Sequence, residues 1–157
     1  AFKARLCGSQ SLDTQEGERV MLQPKRRKYA KDFRGKRRGI ATRGASLSFG
    51  EFGLKAVGRG WFSAQQIEAA RRSITHNLKK GGRVWVRVFP DKPVSGRAAG
   101  KRMGGGKGDV VKHVAVIIPG RILFEVAGAS EEIVKDAFAK AKAKIPFKTR
   151  MIYKEGI

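Results

Sequence analysis

The residues best placed to do chemistry lie in a glycine-rich run, VSGRAAGKRMGGGKG, at 94–108. Glycine lets backbone amides come close to an anion, and Gly-Lys is the heart of a phosphate-binding loop. That loop requires glycine, four residues, Gly-Lys and then Ser or Thr. Here Gly106-Lys107 is followed by Gly108, and the upstream glycine position falls on Lys101, so the pattern fails. The dinucleotide pattern fails too, because Asp109 stands where a third glycine is needed after Gly104 and Gly106. No helix is expected to open directly after the run, which both motifs demand. What remains is charge: Arg97, Lys101, Arg102 and Lys107, with no acid between Lys92 and Gly108. Such a loop suits threading between RNA backbones; a solvated flexible loop accounts for the composition equally well.

Other catalytic constellations are absent from the sequence. His76 and His113 have no second His or Cys at ligand spacing, so no metal site is expected. Asp91, in Phe89-Pro90-Asp91-Lys92-Pro93, stands alone among cations and makes a poor acid–base pair; a turn or a neighbouring cation is its natural use. The single cysteine, Cys7, excludes an internal disulfide and fits a reducing compartment. No enzyme, cofactor or catalytic residue is expected.

The charge balance points to a polyanionic partner. Lys and Arg number 35 against 13 acids, a formal charge of +22 on 157 residues. A compact body with that charge repels itself unless a polyanion is bound. No run of about 18 apolar residues exists to span a bilayer, and residues 1–20 lack the apolar core of a signal peptide. Nucleic acid is the leading partner. The charge is also uneven. Residues 1–20 carry three cations and three acids, whereas 21–60 carry 12 cations and two acids, Asp32 and Glu51. Residues 1–20 are expected to be a disordered extension ahead of the usual start at Met21; an organellar targeting peptide is the alternative, against which the acids argue.

Several elements would position these groups. Residues 21–44 show no hydrophobic period, and Lys25, Arg26, Arg27, Lys28, Arg34, Lys36, Arg37 and Arg38 crowd together with Tyr29 and Phe33 interleaved. This reads as an arm that orders only on a phosphate surface. Residues 46–57 suggest two short strands around a turn. Residues 63–80 form the clearest helix: Ser63 and Gln66 make a capping box, Ile67, Ala70, Ile74 and Leu78 make one buried stripe, and Gly81-Gly82 ends it. Arg71, Arg72 and Lys79 fall off the stripe. Residues 83–89 alternate as a strand, with Val84, Val86 and Val88 toward the core and Arg83, Trp85, Arg87 and Phe89 away from it. The outward set can stack on unpaired bases, or Trp85 and Phe89 can pack as a second apolar layer; Arg83 and Arg87 are expected to reach phosphate. Pro90 and Pro93 end the strand. Residues 113–118 and 121–127 suggest a hairpin about Pro119-Gly120. Ser130 then caps a helix over 131–144, with Ile133, Ala137, Phe138, Ala141 and Ile145 buried and its end charges matching the helix dipole. A last strand follows at 148–153. The expected fold is a single α+β domain over 45–157, two helices packed on a mixed, largely antiparallel sheet, with a basic N-terminal arm and the glycine-rich loop at 94–108.

Six blocks in order then make a specific pattern: MLQPKR at 21–26, SFGEFGLKAVGRG at 48–60, QQIEAARR at 65–72, RVWVRVFPDKP at 83–93, RMGGGKG at 102–108 and GRILFEVAG at 120–128. From Met21 to about Tyr153 the chain closely resembles the bacterial large-subunit ribosomal protein L-sixteen family. The resemblance implies a structural, cytoplasmic ribosomal protein that binds large-subunit rRNA beside the aminoacyl-tRNA site and the peptidyl transferase centre. It also implies contact with tRNA and neighbouring ribosomal proteins and a part in late subunit assembly, with no membrane and no homo-oligomer. By matching motif, Lys25, Arg26, Arg34 and Arg38 would lie in the arm that enters rRNA, and Arg71 and Arg72 on a face near rRNA or tRNA. Arg102, Met103 and Lys107 would sit in the loop that approaches tRNA, with Arg97 and Lys101 beside them. Arg27, Lys28, Lys36, Arg37, Arg59, Arg83, Arg87 and Lys92 complete the expected rRNA contacts. Gly105 stands where the family loop commonly carries a lysine, removing one phosphate contact, and Lys112-His113 replaces an aromatic common there. A general RNA chaperone that binds many RNAs alike is the competing expectation.

Overall fold

The computed structural model describes residues 22–78 and 81–154; the expected extension at 1–20 and Lys79 lie outside them. The described elements run β1 (Phe52–Ala56), β2 (Gly60–Ser63), α1 (Ala64–Leu78), β3 (Arg83–Val86), β4 (Lys92–Ser95), β5 (Val110–Ile117), β6 (Ile122–Ala127), α2 (Glu131–Lys142) and β7 (Thr149–Tyr153). Helix α1 begins as the sequence requires. The Ser63 amide donates to Gln66 Oε1 at 3.0 Å and the Gln66 amide to Ser63 Oγ at 3.3 Å, satisfying two amides that a helix start otherwise leaves bare. Ile67, Ala70, Ile74 and Leu78 are all buried, and the Gly81 amide closes the end on the Leu78 carbonyl. In α2, Ser130 takes the cap position with extended backbone, but its hydroxyl makes no capping bond. Its buried stripe is Val134, Ala137, Phe138 and Ala141, continued by Ile145. Ile133 is 45% exposed and does not belong to it. Val134 starts a run spaced 3, 4 and 7, which holds one helix face; Ile133 is rotated off that face.

The strands form two antiparallel sheets, ordered β3-β6-β1-β7 and β2-β5-β4. Residues 46–57 supply one strand, not two. The two apolar runs about Pro119-Gly120 do not pair with each other: β5 lies between β2 and β4, and β6 between β3 and β1. The Pro119-Gly120 turn therefore carries the chain from one sheet to the other. The true hairpin is β4 with β5, joined by the glycine-rich loop. Strand β4 contains Pro93, which was expected to end a strand. It survives because β4 is an edge, where a missing amide need not break a ladder. Strand β3 stops at Val86, although the Arg87 amide still reaches the Leu123 carbonyl at 2.9 Å.

Register places Val84, Val86, Phe124, Val126, Leu54 and Ala56 on one face of the four-stranded sheet. These side chains pack into one cluster with the stripes of both helices. Phe62 of β2 joins the cluster, edge-on to Phe124 at 6.3 Å and to Phe147 at 5.7 Å. One core thus serves both sheets.

The opposite face of that sheet carries Trp85 and Glu125, paired in register. The chain ahead of β1 crosses it as a strap. Glu125 is fully buried, and its carboxylate accepts the amides of Phe49 at 2.7 Å, Gly50 at 2.9 Å and Ser48 at 3.2 Å. Arg87 completes its shell with an ion pair and lies over the Phe49 ring at 5.0 Å, while Phe49 stacks on Trp85 at 6.2 Å. Gly50 is needed here because a Cβ would meet the Val126 carbonyl oxygen at 2.7 Å.

Two stability outcomes follow from this packing. Ile74→Ala should cost roughly 2–5 kcal/mol in chemical denaturation, as for other buried Ile truncations. Arg87→Met, which leaves Glu125 without its countercharge, should cost about 3–5 kcal/mol, whereas Arg83→Met, at an exposed position, should stay within about 0.5 kcal/mol.

Candidate nucleic-acid interface

The arm follows a path against the body. Residues 22–44 form no helix or strand; Leu22 packs on the core cluster, and the middle of the arm lies against β2 and β4. The Arg34 and Arg37 guanidinium groups cover the Trp61 ring at 5.5 and 5.1 Å. Side chains of the body hold the arm by its carbonyl oxygens: Lys92 donates to that of Arg34 at 2.6 Å, Arg59 to that of Arg37 at 3.2 Å and Arg121 to that of Arg43 at 3.0 Å. Backbone bonds pin its far end, from the Ala41 amide to the Pro119 carbonyl and from the Ile122 amide to the Gly44 carbonyl. Arg27 turns back to Asp32 at 2.7 Å and to the Asp91 carbonyl at 2.6 Å. The bonds from Lys92, Arg59 and Arg121 act on the arm's main chain. Its charged heads nonetheless face solvent: Lys25, Arg26, Lys28, Arg34, Lys36 and Arg38 are exposed, because carbonyls, not counterions, anchor the chain.

The glycine-rich loop starts later than expected, since Val94 and Ser95 belong to β4. Its base is pinched. The Gly96 amide donates to the Asp109 carbonyl at 3.0 Å, and a Cβ on Gly108 would lie 2.3 Å from the Gly96 carbonyl oxygen. Beyond the pinch Arg97, Lys101, Arg102 and Lys107 are exposed, and Met103 is 88% exposed. Lys31 of the arm joins these four cations around a cavity of about 540 Å³. It donates to the Lys107 carbonyl at 2.7 Å, and Lys107 donates in return to the Asp32 carbonyl at 2.7 Å. Arm and loop are thus one surface. Asp109 faces Lys31 at 3.5 Å but is almost wholly exposed, and water screens such a pair.

A second cationic region flanks α1. Arg71, Arg72, Arg87 and Arg121 border a groove of about 840 Å³ that Leu22, Val86 and Phe89 help to line. Its arginines are not equally free. Arg71 grips both Glu68 oxygens at 2.8 Å and Arg72 takes one at 2.9 Å. Those hydrogen bonds, Arg71's first, hold the Glu68 carboxyl down at about 2 against a smaller opposing push from burial. Glu68 is therefore ionised at any ordinary pH and offsets part of the charge of the pair. Arg72, engaged only through Nε, has more donors left for phosphate than Arg71. Arg87 is committed to Glu125. Arg83 is exposed and lines neither region. Of the two outward aromatics, Trp85 packs against Phe49, while Phe89 is 49% exposed.

Sequence reading missed Lys31 and Arg121. Lys31 belongs to the basic run and differs from its neighbours only in reaching the loop. Arg121 follows the Pro119-Gly120 turn, and the passage between sheets brings it to both the arm and the groove beside α1. No pairing of local residues signals that. Nothing in either region resembles an acid–base pair, and among the described residues no three His, Cys, Asp or Glu gather. No helix there is long and apolar enough to cross a membrane. Clustered cations with exposed aromatic rings and glycine amides can bind a phosphate backbone together with unpaired bases.

Comparison with known protein families matches the chain to the model described as ribosomal protein L16p/L10e, over residues 24–152. The match runs from the arm through both sheets and the loop into β7. With that coverage, the chain belongs to the ribosomal protein L16p/L10e family and is an RNA-binding protein of the large ribosomal subunit.

Proposed function

We propose that the chain binds large-subunit rRNA beside the aminoacyl-tRNA site, near the peptidyl transferase centre, with its glycine-rich loop directed at tRNA. In this role it supports late subunit assembly and works in the cytoplasmic ribosome among neighbouring ribosomal proteins. Its part is structural, without chemistry of its own. The observation that carries the reading is the joining of arm and loop, through Lys31 and Lys107, into one exposed basic surface. Lys25, Arg26, Lys28, Lys36 and Arg38 would neutralise rRNA phosphates, while Arg34, Arg37, Arg59 and Lys92 shape the arm and add charge. Arg27, held by Asp32, and Arg71, held by Glu68, contribute less, and Arg72 contributes more. Arg97, Lys101, Arg102, Met103 and Lys107 form the part nearest tRNA.

A mechanism built on counterion release makes binding steeply dependent on salt. If about six or more phosphates are neutralised, RNA affinity should fall roughly a thousandfold or more between about 50 and 200 mM salt. The tagged protein should sediment with the large subunit at moderate salt, and its absence from the particle would reject the reading. A general RNA chaperone would instead spread its footprint over the whole rRNA with no focus. Arg102→Ala should impair tRNA binding by purified ribosomes while leaving thermal unfolding of the free protein within about 0.5 kcal/mol of the parent, because the side chain is exposed in a loop. A loss of several kcal/mol in stability would count against the loop's assigned role.

A further inference from the structure

Where the arm passes the edge of the β2-β5-β4 sheet it closes a pocket of about 250 Å³ that no phosphate-binding role requires. Phe33, Trp61, Arg34, Lys92, Ser95 and Lys107 line it, together with Asp32, whose carboxylate is taken up by Arg27 at 2.7 Å. Phe33 is 91% exposed, the most exposed large apolar side chain described. A phenyl ring gives nothing to a phosphate, and no burial explains its place among cations. The Lys107 ammonium lies over the ring, 5.7 Å from its centroid, yet leaves it open to solvent. Two lining residues each hold a polar atom just behind the wall, Trp61 Nε1 and Ser95 Oγ, buried and without a hydrogen-bond partner among the described residues. An indole N–H can only donate, whereas a hydroxyl can donate or accept.

These features call for a flat partner with both acceptors and donors on its edge and negative charge beside it. A phosphate has the charge but no face to stack. An acidic peptide has the charge but seldom an extended planar edge. An unpaired nucleotide has all three, and stacking on an aromatic ring is the general way proteins hold single-stranded bases. The volume lies below the roughly 300–1,000 Å³ of sites for drug-sized ligands, as befits one base. We infer that this pocket holds a single unpaired RNA nucleotide. Its base stacks on Phe33, the wall opens enough for its edge to meet Trp61 Nε1 and Ser95 Oγ, and its flanking phosphates lie between Arg34, Lys92 and Lys107. The inference rests on the rRNA-binding reading and adds a site at which one base is taken out of its own stack.

The test compares wild-type protein with Phe33→Ala and Phe33→Trp, using two probes: a short single-stranded oligoadenylate and inorganic polyphosphate. Loss of one base stack should weaken oligoadenylate binding by Phe33→Ala about 5- to 150-fold. Phe33→Trp should retain it, and polyphosphate affinity should be the same for all three. Equal losses on both probes, or no loss on either, would overturn the pocket, the first because Phe33 would then act only on arm geometry. Sedimentation of the wild-type protein with the large subunit reads the parent proposal separately. Oligoadenylate binding that ignores Phe33, in a protein still found in the particle, would remove the pocket and leave the ribosomal role standing.

Discussion

A carboxylate shut away from water at the middle of a sheet must be answered on every side, and Glu125 is. Taking such a charge out of water is expensive, and only a full set of donors makes it tolerable. Three consecutive amides of the strap and the Arg87 guanidinium provide that set. The consequence reaches well beyond one residue. The strap is fixed across β6, so β1 enters the sheet in one register, and Phe49 and Trp85 close over the site. Because the arm runs directly into the strap, its root is fixed too. A single internal charge thereby sets where a long cationic segment leaves the body.

From that root the arm meets a physical conflict. Its cations repel one another and those of the sheet beneath, yet it lies against the sheet. The resolution is geometric. Body lysines and arginines bind the arm's carbonyl oxygens, so attraction acts on the main chain while the charged heads stand apart in water, where repulsion is weak. The same exchange between Lys31 and Lys107 joins arm to loop. Positive charge is gathered along the arm and loop with few counterions of the protein's own, Asp32 on Arg27 and Asp109 near Lys31. Where an acid is supplied, as Glu68 is to Arg71 and Arg72, it lessens the charge available to a ligand.

Much of this was legible in the sequence, and what was not has identifiable causes. The helix of Ile67, Ile74 and Leu78 announced itself because its period and its capping box agree. The alternation of Val84, Val86 and Val88 correctly gave the core face, but alternation cannot say what covers the other side. Arg87 was therefore expected on phosphate, whereas it pairs with Glu125, on the neighbouring strand but far along the chain. The hairpin about Pro119-Gly120 was expected because neighbours in sequence commonly pair; here each strand finds partners far along the chain. Strand β2 is too short to show alternation, and β4 hides behind a proline that an edge tolerates. The basic character of the arm and loop was plain from composition. Their contact was not, since it is made through carbonyl oxygens that every residue carries.

The crossing of Gly96 and Gly108 at the root of the loop has a consequence for how this protein can change over time. Two backbones in contact without side chains between them act as a collar, so the sheet on one side is insensitive to what is strung on the other. Residues beyond the collar are free to drift, lengthen or exchange one cation for another without disturbing strand register. The two glycines themselves have no such latitude. Adaptation to a different RNA neighbour would therefore be written in the segment between them and leave the domain that carries it untouched.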